Sequence, residues 1–425
     1  MNLSLGCGSV KTMQRTRTTP GARQDMLRRH NLGLVLREVL EASSPPSRAD
    51  IATRTGLTRA TVSALVDRLV AAGMLTQLPP VISRRAGRPA VPLVAGGTFA
   101  AIGLEINVSY LGGRAVDLSG QTLAERLEVH DFHQSSPSKA LDLLASMARD
   151  MLEEVTASGV CVIGAGIALP GIVDQESGTL RLAPNLGWRD VELADVLTRS
   201  PFATLSVVEL ANEANLAAWT EARAHPETRP SFLYVSGEVG IGGGLVYDGQ
   251  VFQGRRGWSG ELGHTTVKPD GPACPCGSRG CLERYAGRDA VMTAAGLDPL
   301  TPVEGLLARL EDGNVRARRA VDRAGWALGV ALANAVNLVD IDEVVLGGFY
   351  APLTNWLTPA VAEQLQMRVL SAAWSRPQVR PVESGQQAAM TGAALSVLRM
   401  LLDDPTAWGA GAEAPTPTVG TAAAR

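Results

Sequence analysis

The chain has 425 residues, of which 45% are hydrophobic and 19% are charged, as in a soluble globular protein of two or three domains. Its longest nearly apolar run, residues 325–339, contains two asparagines and is too short to cross a bilayer. The first residues lack the basic start and apolar core of a signal peptide, and the five cysteines are not arranged as a disulfide scaffold. These features predict a cytoplasmic protein with no membrane partner.

Charge is distributed unevenly along the chain. Residues 1–97 carry 14 Lys and Arg against 5 Asp and Glu, a net charge of +9, whereas the remainder carries 25 against 37, a net charge of −12. Such blocks of opposite sign indicate a basic module that meets a polyanion, joined to an acidic region with another task.

The basic block begins with residues 1–23, which have no hydrophobic period and which we expect to form a disordered arm. The segment up to Gly73 contains three stretches with the apolar spacing of helices, separated by a pair of prolines and by a glycine turn. Ser47 and Thr58 stand where they can cap the second and third helices. This order of elements is the helix-turn-helix layout.

Two short strands around an arginine-rich loop follow, which predicts a wing and completes a winged helix-turn-helix domain over residues 24–95. The third helix begins T-R-A-T-V-S-A, where base edges are read, and the wing arginines suit a minor groove. The candidate DNA-contacting residues are Thr58, Arg59, Thr61, Ser63, Arg84, Arg85 and Arg88. A protein-interaction module with solvated arginines is the alternative.

Residues 98–402 predict an α/β region of two similar lobes, about 98–225 and 226–402, with a cleft between them. Three strands, a helix after Pro137 and a further strand form the first lobe, and roughly the same order of elements returns in the second. Residues 403–425, rich in Ala, Gly, Thr and Pro, are expected to be a disordered tail.

The stretch from Glu261 to Glu283 holds one histidine and three cysteines at the spacing H-x9-C-x-C-x4-C. Thiolate and imidazole are donors that Zn²⁺ favours, and Cys3His is a common structural set. Intervening glycines and prolines allow the backbone to turn tightly enough for four side chains to converge. The sequence therefore predicts a Zn²⁺ site formed by His264, Cys274, Cys276 and Cys281.

Six motifs together closely resemble the ROK family of sugar kinases and sugar-responsive repressors, most of all its xylose-repressor branch: A-L-P-G-I-V-D, A-P-N-L-G-W, N-E-A-N, G-I-G-G-G, G-E-L-G-H and C-P-C-G-S-R-G-C-L-E. The resemblance extends over roughly residues 24–400. It implies a two-lobed actin/hexokinase-like (ribonuclease H-like) fold for residues 98–402, behind the winged helix. We expect a homodimer or higher homo-oligomer on pseudo-palindromic operator DNA.

Three segments differ from the kinases of that family. The first strand of the kinases ends in Asp-x-Gly-Gly-Thr, where this chain has residues 105–109 (E-I-N-V-S). Their catalytic base is Asp, where this chain has Glu213, and their second phosphate loop reads Gly-Thr-Gly, where this chain has residues 238–240 (E-V-G). The backbone then cannot approach phosphate closely, and the longer side chain displaces the base. We expect no catalysis; an ATP-dependent sugar kinase with an attached DNA-binding domain is the alternative.

The resemblance also implies a set of residues that contact a monosaccharide, namely Asn212, Glu213, Glu261, His264, Glu283 and Asn185. Carboxylates and amides suit sugar hydroxyls because they accept or donate hydrogen bonds. The alternative is that these groups only orient the zinc loop. We predict a sugar-responsive transcriptional regulator, a repressor that a monosaccharide releases from its operator; a phosphosugar or a partner protein as effector stays open.

Overall fold

The computed structural model describes residues 20–80, 90–193, 201–205, 207–224 and 228–408. Within these ranges, no helix combines the length and the apolar character that a membrane span needs. The N-terminal domain consists of α1 (Pro20–Leu40), α2 (Arg48–Thr55), α3 (Arg59–Ala71), β1 (Leu75–Gln77) and β2 (Leu93–Ala95). The two strands pair antiparallel, with Leu75 opposite Ala95. The predicted winged-helix layout is present, although α1 already begins inside the stretch predicted to be an arm.

Side-chain caps define where the second and third helices start. The Ser47 hydroxyl accepts the backbone N–H of Asp50, and the Asp50 carboxylate accepts the backbone N–H of Ser47 at 2.9 Å, which completes a capping box. Gly56, at φ 71°, ends α2 in the left-handed region that favours glycine. The Thr58 hydroxyl accepts the backbone N–H of Thr61 at 3.2 Å. Each such cap stabilises its helix by about 1 kcal/mol.

The first lobe is built on a mixed five-stranded sheet with the order β10-β6-β3-β4-β5. The lobe contains β3 (Phe99–Ile106), β4 (Tyr110–Asp117), β5 (Thr122–Val129), α4 (Pro137–Ala157), β6 (Cys161–Leu169), β7 (Ile172–Asp174), β8 (Thr179–Ala183), β9 (Trp188–Glu192), a 3-10 turn (Phe202–Thr204), β10 (Val207–Asn212) and α5 (Glu213–Ala224). The helix α4 buries its apolar side, which includes Leu144 and Met151, in the core beside the sheet. The strands β7, β8 and β9 form a separate small sheet.

The second lobe repeats this sheet, with the order β13-β12-β11-β14-β15. Its elements are β11 (Phe232–Gly237), β12 (Ile241–Tyr247), β13 (Gln250–Val251), a 3-10 turn (Leu262–His264), α6 (Glu283–Ala286), α7 (Arg288–Ala295), α8 (Val303–Glu311), α9 (Val315–Val339), β14 (Glu343–Gly348), α10 (Thr354–Arg368) and β15 (Gln378–Pro381). In both lobes three strands pair antiparallel and two further strands run parallel to the first of them. The predicted two-lobed fold is therefore confirmed.

The last helix, α11 (Ala388–Asp403), does not stay with the second lobe, where the predicted boundary of 226–402 placed it. It packs across the sheet of the first lobe, so closely that a Cβ atom on Gly103 or Gly166 would collide with the carbonyl oxygens of Met390 and Ala393. Chain order predicts the second lobe for this helix, whereas its buried residues, which include Ala394 and Leu398, pack with Ala101 and Ile163 of the first sheet.

The same helix joins the winged helix to the rest of the molecule. One buried cluster combines Leu36 of α1 with Phe99 of β3 and Leu401 of α11. A Cβ atom on Gly33 would collide with the carbonyl oxygen of Leu402, so the two helices are in backbone contact. The short 3-10 helix Pro405–Trp408 also packs on α1. The predicted tail was therefore wrong for residues 403–408, while residues 409–425 lie outside the described residues.

Candidate functional site

The two lobes meet at a cleft whose volume, counted together with the open solvent at its mouth, is about 570 Å³. The strands β3, β6 and β10 end at this cleft, as do the turn between β11 and β12 and the segment that leads to His264. Ligands in open α/β sheets bind outside the carboxyl ends of strands, because several loops converge there. The structure brings six predicted sugar-contacting residues together in the lining: Asn185, Asn212, Glu213, Glu261, His264 and Glu283.

The side chain of Asn212 uses most of its hydrogen-bonding groups within the protein. Its Oδ1 accepts the backbone N–H groups of Ala214 and Asn215 at 3.0 and 3.1 Å, which caps α5. Its Nδ2 donates to the carbonyl oxygen of Gly171 at 2.9 Å. One N–H of the amide is left for a ligand. Asn212 therefore fixes the start of α5, whose first residue is Glu213.

Glu283 connects the two sides of the cleft. Its Oε2 accepts the side-chain amide of Asn185 and the backbone N–H of Ile241, both at 3.3 Å. Burial raises the pKa of Glu283 and also that of Glu261, and the nearby His264 opposes the rise in both. Glu283 is 5% exposed, so its carboxylate forms hydrogen bonds with protein groups or with a ligand in the cleft.

At one end of the cleft, here called the inner end, Glu213 and Glu238 line the cleft and Glu105 is buried beside them. Burial raises the pKa of Glu105 to about 7, against the hydrogen bond that Tyr110 donates to its Oε1 at 2.7 Å. Burial, followed by repulsion from Glu105, raises the pKa of Glu238 to about 7. Burial and then repulsion from both neighbours raise the pKa of Glu213 well above its usual range. The inner end is therefore a cluster of three carboxyl groups of which only some are ionised near neutral pH.

The predicted metal ligands also converge. The ligand atoms of His264, Cys274, Cys276 and Cys281 all lie within 4.8 Å of one another. His264 Nδ1 lies 3.8 Å from the Cys274 Sγ, and the Sγ atoms of the other two cysteines are 3.8 Å apart. Two thiolates at roughly 2.3 Å from a tetrahedral ion have about this separation. The four donors fit one metal ion, and the second nitrogen of His264 is left for the cleft.

The backbone of the metal loop is shaped by one glycine in particular. Gly280 has φ 67°, and a Cβ atom there would collide with the carbonyl oxygen of Lys268. Hydrogen bonds from the backbone N–H of Val267 to Gly280 and from Leu282 to Thr265, both 2.9 Å, hold the two arms of the loop side by side. Any other residue at position 280 would push the cysteines apart.

The predicted DNA-contacting residues are split between exposed and less accessible positions. Thr58 and Arg59 are exposed at the start of α3, whereas Thr61 and Ser63 are half-buried, and the hydroxyl of Thr61 lies 2.8 Å from that of Thr58. The wing residues Arg84, Arg85 and Arg88 lie outside the described residues. Ser63 also offers its carbonyl oxygen to Arg48 at 3.4 Å, so this end of α3 is braced by α2.

Two residues that shape this region are absent from the sequence-based predictions. The hydroxyl of Tyr110 donates to Glu105, which is buried beside Glu213. Gly171, at φ 82°, lets the chain pass the carbonyl oxygen of Leu182 and accepts the amide of Asn212. Gly171 stands inside the A-L-P-G-I-V-D motif, which is a usable signal, while nothing in the local sequence marks the tyrosine.

Comparison with known proteins identifies the architecture. Residues 101–400 match the sequence profile of the ROK family. The chain belongs to the ROK family. Residues 34–86 match the MarR family, which places a recognised DNA-binding type in front of the ROK domain. The predicted family and fold class are thus confirmed.

Individual ROK proteins resemble the chain over most of its length. A xylose repressor of Bacillus subtilis (strain 168) is 27% identical over 384 residues, which cover 90% of this chain and 98% of that protein. The crystal structure of a ROK transcriptional regulator, described as a homolog of the E. coli MLC protein, superposes with a TM-score of 0.72 at 25% identity and covers 89% and 98% of the two chains. These full-length ROK relatives confirm the prediction of a sugar-responsive, DNA-binding regulator.

ROK kinases resemble only the C-terminal part. A glucokinase of Halalkalibacterium halodurans is 28% identical over 249 residues, covering 54% of this chain and 74% of that enzyme. The winged helix is therefore the part of the chain that separates it from such enzymes.

Proposed function

We propose that this ROK protein is a non-catalytic repressor that binds operator DNA through paired winged helices and is released when a monosaccharide occupies the cleft. The observation that carries the proposal is the backbone contact between α1 and α11, because it makes one rigid connection between the DNA-binding domain and the sugar-facing lobe. A regulator needs such a connection if a ligand is to alter DNA affinity.

The proposed absence of catalysis is supported by charge at the phosphate-facing positions. Glu105 and Glu238 stand where the family's kinases use glycine-containing loops; Glu238 lines the cleft and Glu105 is buried beside it. A nucleotide phosphate placed there would meet carboxylates instead of backbone N–H groups. Glu213, at the position of the kinase base, lies within this same acidic cluster.

The proposed cofactor is one structural Zn²⁺ per chain, held by the three thiolates and by Nδ1 of His264. The donor set is the one that Zn²⁺ favours, and its four ligand atoms lie within 4.8 Å of one another. A bound ion would orient the imidazole so that Nε2 faces the cleft between Glu261 and Glu283, both of which interact with His264. The metal then serves ligand binding indirectly, by fixing the loop.

The proposed route from sugar to DNA runs through α5 and α11. The Thr220 hydroxyl of α5 donates to the carbonyl oxygen of Ala388 at 2.9 Å, and a Cβ atom on Gly392 would collide with the carbonyl oxygen of Leu216. Since Glu213 begins α5 and α11 contacts α1, a shift of α5 on ligand binding moves the support of the winged helix. The ligand changes DNA affinity only by its preference for one of the two arrangements.

Fluorescence anisotropy with labelled DNA from upstream of the protein's own coding region tests this proposal in a panel of monosaccharides. We expect at least one sugar to weaken DNA binding about tenfold or more, and Glu283→Gln to lose that response while it still binds DNA. Glu128→Gln, the same change at an exposed position, serves as the matched control and should respond like the wild type. DNA binding that no sugar alters would overturn the sensing half.

The similarity to a glucokinase favours a second candidate function, that of an ATP-dependent sugar kinase with an attached DNA-binding domain. Sugar-dependent release of ADP by the wild type, abolished in Glu213→Ala, would replace the proposed repressor by this enzyme. We expect no release above that of the protein-free reaction.

A further inference from the structure

The cleft is lined by carboxylates and offers no cation to a ligand. Four glutamates face it, namely Glu213, Glu238, Glu261 and Glu283, and none of the lining residues in the described ranges is Lys or Arg. Arg288, which acts on the charge of Glu238, directs its guanidinium to the hydroxyl of Ser109 at 3.4 Å and to the carbonyl oxygen of Thr301 at 3.3 Å. An anionic ligand would therefore meet carboxyl groups and no Lys or Arg among the lining residues.

The inner end also holds an acceptor without a donor. Within the described part of the chain, Glu213 Oε2 is buried and has no hydrogen-bond partner. Glu105, which is 4% exposed, receives the Tyr110 hydroxyl on Oε1. Buried acceptors are almost always satisfied, so this oxygen indicates a donor that a ligand supplies. Because four glutamates and no Lys or Arg line the cleft, a donor that carries positive charge is favoured over a neutral one, since it stabilises the ionised form of these acids.

The kind of cation is narrowed by the metal-binding groups of the fold. Across the described residues, the group of side chains that could hold a metal ion is the His264 cluster, and it includes none of Glu105, Glu213 and Glu238. A cation that belongs to a larger ligand is therefore favoured here over a bare metal ion. An ammonium group has three donors that point in different directions and remains attached to a larger skeleton.

We propose that the inner end of the cleft, lined by Glu213 and Glu238 with the buried Glu105 beside them, is a subsite for an ammonium group, and that the effector is an amino sugar with a free amine. This inference rests on the proposed sensing function and specifies its ligand. The hydroxyls of the sugar meet Glu261, His264 and Glu283, while the amine satisfies Glu213 Oε2. A phosphorylated sugar is rejected because its charge has the sign of the lining.

Isothermal titration calorimetry of the full-length, metal-loaded protein near neutral pH tests the subsite with matched pairs. D-glucosamine, D-galactosamine and D-mannosamine are each compared with the parent hexose, so that ring stereochemistry cancels, and D-glucose 6-phosphate and D-xylose are included. We expect at least one amino sugar to bind about tenfold more tightly than its parent, and the phosphate not to bind. A phosphate or a neutral sugar that binds more tightly than every amino sugar overturns the proposal.

Glu238→Gln separates the subsite from the rest of the cleft. It should reduce the preference for the amino sugar over its parent about tenfold, while Glu128→Gln, which changes net charge equally at the surface, leaves the preference unchanged. Glu105→Gln is the second variant if the first does not fold, and operator binding reports folding in both. An unaltered preference in the folded variants overturns the subsite.

Different results overturn the sensing function and the ammonium subsite. If neutral hexoses release the operator and amines give no advantage, the sensing function stands and the ammonium subsite falls. If no sugar binds, both fall. The D-glucose titration is repeated with magnesium chloride to test whether a metal ion supplies the positive charge. If D-glucose binds more tightly with magnesium chloride and no amino sugar binds more tightly than its parent, the amino-sugar assignment is overturned.

Discussion

At the scale of single residues, the inner end of the cleft is governed by acids that interact with one another. Burial raises the free energy of ionising each of them, and neighbouring carboxylates add to this effect for Glu213 and Glu238. The pKa values of Glu105 and Glu238 are consequently raised to about 7, far above those of exposed glutamates. A cluster of this kind is costly for the folded protein when no ligand is bound, and perturbed acids in a cleft are typical of functional sites.

The ligand-free protein should lose stability as the pH rises from 6 to 8. Folded Glu238 keeps its proton up to a pKa of about 7, whereas the unfolded chain loses it near 4.5, so the unfolded state binds fewer protons over this interval. The free energy of unfolding should therefore fall by roughly 1 kcal/mol more in the wild type than in Glu238→Gln. Urea unfolding at both pH values measures this difference. Parallel pH dependence of the two proteins would contradict it.

Removal of one metal ligand should destabilise the loop on which His264 lies. Cys276→Ala leaves three donors, so we expect loss of bound zinc by elemental analysis and a marked fall in the midpoint of thermal unfolding. Cys161→Ala removes an exposed thiol outside the cluster and is the control, with zinc content and midpoint unchanged. A folded wild type that binds no metal would refute the zinc assignment.

At the scale of elements, α11 is the piece that connects the two ends of the molecule. It lies on the sheet of the first lobe, contacts α5 beside the cleft and contacts α1 of the winged helix. Glycines at each of these surfaces allow backbone-to-backbone approach, because any Cβ atom would collide with a carbonyl oxygen. Closely packed interfaces of this type transmit small shifts, since they do not deform gradually.

Gly33→Ala should uncouple the sugar from the DNA. The new Cβ atom collides with the carbonyl oxygen of Leu402 and pushes α1 away from α11, while α3 is not touched. We expect operator affinity within about threefold of the wild type and a sugar response reduced about tenfold, both measured by anisotropy. Gly97→Ala, where the nearest atom of Asp117 is 3.8 Å away, is the control. A full sugar response in Gly33→Ala would remove α11 from the proposed route.

At the scale of the whole molecule, two copies of one sheet topology enclose the cleft and a winged helix is docked on the first copy. The cleft draws residues from both lobes, so its shape depends on how the lobes are arranged. A sugar that bridges Asn185 and Glu283 therefore favours a closed arrangement. This is the global change that the proposed repressor uses.

The operator should consist of two half-sites whose centres lie one helical turn, or a multiple of it, apart. A pair of symmetry-related winged helices requires this spacing, because each recognition helix must meet the major groove on the same face of the duplex. We expect insertion of about 5 base pairs between the half-sites to weaken binding about tenfold or more, and insertion of about 10 base pairs to restore part of it, in anisotropy titrations. Equal binding to all three spacings would refute a rigid dimer on DNA.

Much of the candidate site follows from local sequence. Caps at Ser47 and Thr58 set the helix boundaries through neighbouring backbone groups, and the metal ligands lie within one short loop. The repeated order of strands and helices along the chain was predictable because similar apolar segments return in the second lobe. These features depend on residues that are close in the chain, where spacing alone constrains geometry.

Tertiary structure alone decided the remainder. The position of α11, the hydroxyl of Tyr110 on Glu105 and the mutual repulsion of Glu105, Glu213 and Glu238 involve residues that are far apart in sequence or on different elements. The sequence by itself determined that the chain carries a winged helix, two lobes and four metal donors. Only folding brings four glutamates to one cleft, with Glu105 buried beside them, because burial and electrostatic interaction depend on distances in space, which chain order does not fix.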